Sequence, residues 1–87
     1  MKIKKGFMLR EVAGNYVVVP VGEASKEFKG IITLNISGAF LWKSLLEETT
    51  KEKLLEKFLG EYDIDQETAT KDIDVFLDKV RSVNILE

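Results

Sequence analysis

The sequence has no cysteine and no histidine. Without thiols there is no disulfide, no thiolate nucleophile and no sulfur ligand for zinc or an iron–sulfur cluster. Without imidazole the chain lacks the commonest metal ligand and general base. Proline occurs once, as Pro20, and neither sign of charge is in excess, since 13 Lys plus Arg face 15 Asp plus Glu for a net charge of −2. A protein that grips phosphate backbones draws its affinity from clustered cations, which argues against a nucleic-acid partner. Only Lys2, Lys4 and Lys5 form such a cluster. Behind them Phe7, Met8 and Leu9 are too few for the apolar core of a signal peptide, and no run is long enough to span a bilayer. The absences together describe an unstapled, cytoplasmic chain with no membrane partner and no cofactor of its own.

What is present suits one small domain, residues 1–87, with a hydrophobic fraction of 45%. Phe7 to Val12 and the β-branched run Tyr16 to Val21 read as two strands joined by a turn near Ala13 to Asn15, and Pro20, which cannot donate to a ladder, ends the second. Gly22 to Gly30 is a polar, glycine-bracketed connection, and Ile31, Ile32, Thr33 and Leu34 read as a third strand. From Asn35 the apolar period lengthens to that of a helix. Asn35 or Ser37 can cap a first helix carrying Ile36, Ala39, Phe40, Trp42, Leu45 and Leu46, apolar on so much of its circumference that it should be the most buried. Thr49 with Glu52 has the form of a capping box before a second helix with Leu54, Leu55, Phe58, Leu59 and Tyr62 on one stripe. A third helix starts at Asp63 or Asp65. With Asp65 as cap, Ile64 and Ala69 form a hydrophobic staple, and Ile73, Phe76, Leu77 and Val80 follow to about Val83. The order βββααα predicts an α+β domain with three helices against one face of a three-stranded antiparallel sheet.

Few residues suggest chemistry. If Asp63 opened a calcium loop, position six would be Thr68 instead of glycine and position twelve Asp74 instead of glutamate, so helix capping explains these acids better than metal. Glu47 with Glu48 and Asp72 with Asp74 lack the apolar surroundings that would tune a catalytic carboxyl. The glycines never cluster into a phosphate loop. Trp42 and Phe40, at helical spacing beside Leu41, Leu45 and Leu46, read as core. Val75 falls on the far flank of the third helix from its buried stripe, where a lone valine is usually uninformative. The third strand is an edge of a three-stranded meander, yet Ile31 to Leu34 holds no lysine, proline or inward charge to blunt it. Such an edge is either too short to matter or a rail for an added peptide strand, and the residues alone leave both readings open.

Several segments carry a resemblance to a known family: Leu34-Asn35 leading into Ile36-Ser37-Gly38-Ala39-Phe40-Leu41-Trp42, the step Thr49-Thr50-Lys51-Glu52-Lys53-Leu54, and the junction Tyr62-Asp63-Ile64-Asp65. Asp72-Ile73, Phe76-Leu77 and the terminal Val83-Asn84-Ile85-Leu86 extend it. In order and spacing they resemble the PqqD family, also called RiPP recognition elements, over nearly the whole chain. The resemblance implies a winged-helix-like, non-catalytic domain that holds the leader of a ribosomally made precursor peptide as an extra strand between the third strand and the third helix. It implies as second partner a modifying enzyme, often a radical S-adenosylmethionine protein, to which any iron–sulfur chemistry belongs. On that reading Ile31, Ile32, Thr33 and Leu34 supply the strand edge, and Asp72, Val75, Phe76 and Lys79 form the opposite wall. Thr70, Leu77 and Arg81 are the alternative wall. The competing classes are a DNA-binding winged helix, disfavoured by Glu67, Asp72, Asp74 and Asp78 on the helix that would enter the groove, and a homodimer that pairs two copies of the bare edge.

Overall fold

At the first hairpin two residues turn the chain back on itself. Ala13 and Gly14 have φ of +52° and +83°, the type I′ conformation whose twist matches that of paired strands. The computed structural model describes residues 1–27 and 32–87. In it β1 (Phe7–Val12) and β2 (Asn15–Pro20) pair antiparallel, from Val12 opposite Asn15 to Phe7 opposite Pro20. The third strand, β3 (Ile32–Leu34), lies on the other side of β2 with Thr33 opposite Val17, so the sheet order is β1-β2-β3 and β3 is an edge. Ile31, expected at the start of that strand, lies outside the described residues.

Part of the polar connection is helical. The four-residue α1 (Ala24–Glu27) follows Gly22, whose carbonyl accepts from the Ser25 hydroxyl at 2.6 Å. One turn is too short to show periodicity, so the expected order βββααα becomes ββαβααα while the α+β class stands.

Three longer helices follow. Asn35 caps α2 (Ile36–Ser44), its Oδ1 accepting the Gly38 N–H at 2.7 Å. Ala39, Leu41, Trp42 and Leu45 are buried as expected, but Ile36 is 68% exposed and Leu46 is exposed too. They stand at the first position of the helix and beyond its last, where the core no longer covers them. For α3 (Lys51–Glu61) the cap is Thr50, whose hydroxyl accepts the Lys53 N–H at 3.2 Å, one residue later than the capping-box reading. Asp65 caps α4 (Gln66–Ser82), accepting the Thr68 N–H at 2.7 Å. Bonds from the Thr68 backbone and side chain favour the ionised carboxyl and hold its pKa below the usual 3.8. Ala69 is buried and Ile64 is half-buried against the core, as the staple requires.

Val18, Ile32 and Leu34 of the sheet meet Trp42, Phe58, Ile73, Leu77 and Val80 of the helices in one cluster. The chain ends close it. Ile3 pairs with Leu86 across an isolated bridge, donates its N–H to the Leu45 carbonyl at 2.9 Å, and is buried together with Ile85.

Candidate strand-edge groove

Strand alternation turns Ile32 and Leu34 into the core and leaves Thr33 exposed. On α4 the buried stripe of Ile73, Phe76, Leu77 and Val80 leaves Asp72, Val75 and Lys79 on one flank, spaced with Phe76 at i, i+3, i+4 and i+7 along a single line. These two edges face each other across an open groove of about 360 Å³. Leu34, Asn35, Ser37, Gly38 and Leu41 form one wall, and Asp72, Val75, Phe76 and Lys79 form the other. The lining mixes apolar Leu34, Leu41, Val75 and Phe76 with polar Asn35 and Ser37, and Asp72 and Lys79 bring opposite charges about 10 Å apart along the helix axis.

Of the residues expected at the site, Leu34, Asp72, Val75, Phe76 and Lys79 line this groove together. Thr33 joins it through its main chain, because the Lys79 ammonium donates to the Thr33 carbonyl at 2.8 Å. Ile32 does not line it, since its side chain belongs to the core. The alternative wall is dispersed: Thr70 lines a separate cavity against α3 with Leu55 and Ile73, Leu77 is buried, and the Arg81 Nη2 reaches the Met1 sulfur at 3.7 Å. Asp74 turns to the same side as Thr70 and pairs with Lys51 of α3.

Asn35, Ser37, Gly38 and Leu41 escaped the sequence reading. The available signal was connectivity: one residue separates β3 from α2, so the first turns of α2 must stand beside the strand edge. Gly38 lets the first turn of α2 lie close against Leu34 and Asn35. A Cβ there would lie 3.0 Å from the Asn35 Oδ1 and 3.3 Å from the Leu34 Cβ.

The edge is also less bare than its own residues imply. Nothing in β3 blunts it, but the long side chain of Lys79, 46 positions away in sequence, occupies the Thr33 carbonyl from α4. Among the described residues no three acidic side chains gather into a metal site, and no helix is long and apolar enough to cross a membrane.

A short antiparallel sheet whose last strand borders a groove under the final helix defines a small α+β domain built around a strand edge. The chain belongs to the PqqD family: the family model described as Coenzyme PQQ synthesis protein D matches residues 8–86. The fold is similar to that of TbiB1 in complex with the TbiA(beta) leader peptide, with a TM-score of 0.75 and 22% identity, covering 100% of this chain and 95% of that one. It is also similar to lasso peptide synthetase B1 complexed with the leader peptide, with a TM-score of 0.71 and 13% identity, covering 97% of this chain and 93% of that one. At these identities the likeness is one of fold. No curated protein matches the chain.

Proposed function

We propose that this chain is a non-catalytic recognition module, residues 1–87, that captures the leader of a ribosomally made precursor peptide as a fourth strand on β3 and presents the remainder to a modifying enzyme. The carrying observation is the groove, which sets a strand edge against the helix flank of Asp72, Val75, Phe76 and Lys79 along one line. Membership of the PqqD family and the leader-bound state of both structural neighbours support it.

The chemistry of capture is that of strand addition. A main-chain N–H and C=O of one residue point to the same side of a strand. A Thr33 carbonyl that a side chain reaches from outside the sheet therefore implies an outward Thr33 N–H as well. Each such bond is worth about 1 kcal/mol net, so apolar leader side chains seated against Leu34, Leu41, Val75 and Phe76 supply most of the selectivity. The partner enzyme is read from the family as a cytoplasmic radical S-adenosylmethionine protein that contributes the reactive chemistry.

Titrating nitrogen-15-labelled protein with synthetic leader peptides tests this reading. Shifts should concentrate at Thr33, Leu34, the start of α2 and the 72–79 flank of α4. Shifts confined to β1 and β2 would contradict it.

A further inference from the structure

Resting on leader capture at β3, we infer that Lys79 is a displaceable latch on the strand edge and selects leaders that carry a carboxylate side chain beside the residue docking on Thr33. The inference begins with one bond. The Lys79 ammonium holds the Thr33 carbonyl at 2.8 Å, and this carbonyl is the acceptor an incoming strand needs. An added strand puts its own N–H there and displaces the ammonium from its place on the rail.

The displaced ammonium needs a new partner. Its neighbours one turn away on α4, at i−4, i−3, i+3 and i+4, are Val75, Phe76, Ser82 and Val83, none of them anionic. Asp72 stands two turns away, roughly 10 Å along the axis. Around it Leu34, Val75 and Phe76 are apolar and Asn35 and Ser37, though polar, carry no charge, and a peptide laid over the groove excludes the water that now solvates the lysine. A cation that is desolvated without a partner is costly, whereas an ammonium–carboxylate hydrogen bond in such a place is among the stronger polar contacts. The anion has to arrive with the ligand. A neutral leader of the same shape meets a closed latch, and an acidic one exchanges the Thr33 carbonyl for its own carboxylate. The apolar pockets thus determine that a strand docks, and Lys79 determines which strand and in which register.

Selection from a displayed library of random twelve-residue peptides, carried out in parallel on the wild-type protein and on Lys79→Glu and Lys79→Met variants, tests this. Lys79 is on the surface, so folding of the variants is checked by amide spectra and is expected to be unchanged. On the wild type, groove-binding peptides should be enriched in Asp or Glu at one fixed position. Replacing that acid with its amide should weaken binding about tenfold or more, the worth of one charge-assisted hydrogen bond. Lys79→Glu should shift the preference at the same position to Lys or Arg, and Lys79→Met should remove it while peptides still bind. If all three proteins select the same peptides with no charge preference, and these peptides still move the Thr33 and Leu34 amides, the latch is wrong and leader capture stands. If no selected peptide moves those amides on any of the three, leader capture itself fails, and the latch with it.

Discussion

Val75 places an apolar side chain at 63% exposure on a helix whose other apolar residues are largely packed away. In isolation that is unremarkable. Beside Phe76 and across from Leu34 it forms the wall of the groove, where a charge would face any apolar ligand side chain. Val75→Asp should leave stability within about 0.5 kcal/mol of wild type, as surface changes do. It should weaken leader binding roughly tenfold or more by placing a charge against apolar ligand groups. Calorimetric titration paired with urea unfolding checks both parts. Asp65 allows a second test. Because its folded pKa is lowered, its stabilising effect is complete above the unfolded value of 3.8 and is lost as pH falls through the folded value. The urea midpoint of the wild type should therefore drop more steeply below about pH 4 than that of Asp65→Asn, which keeps an acceptor for the cap but cannot titrate. Parallel curves would show that the Asp65 carboxylate contributes nothing.

Among the elements, legibility followed locality. The hairpin, the Asn35 and Asp65 caps and the α4 stripe depend on residues within four positions of one another, and the sequence displays them directly. The Leu34 edge and the flank at 72, 75, 76 and 79 rest on the unblunted third strand and on helix periodicity joined to a family resemblance. The structure gathers them with the start of α2 in one groove. What was hidden depends on distant partners. Lys79 on Thr33 is one case, and Ile3 is another: a single isoleucine among lysines carries no period, yet it is buried and its strand-like segment joins both chain ends. Lys4 donates to the Ile85 carbonyl at 2.7 Å and Glu87 to the Lys2 carbonyl at 2.8 Å. Ile3→Ala should cost about 2–5 kcal/mol, the usual range for such a cavity. Urea unfolding measures it, and a loss near zero would show the segment to be dispensable.

For the whole molecule, the feature on which the proposed function turns is the backbone edge of β3 beside the groove. An edge proposed to accept a leader can also accept another copy of itself, and Lys79 bears on both outcomes. Occupying the Thr33 carbonyl and carrying charge, it guards an edge that β3 leaves unguarded. Lys79→Ala should raise the dimer fraction in sedimentation at high protein concentration, and the excess should disappear when a leader peptide is added. No change in sedimentation would mean that three residues of edge are too few to pair, whatever stands at position 79.

The central claim is that a peptide becomes the fourth strand of this sheet at Thr33. Amide hydrogen exchange at that one residue tests it most directly, because an outward edge N–H exchanges quickly in the free protein and slowly once a strand is bonded to it. With a saturating leader peptide the Thr33 amide should become strongly protected, while amides on the outer edge of β1 keep their free rates. A peptide that binds and leaves Thr33 exchanging at its free rate would contradict the account.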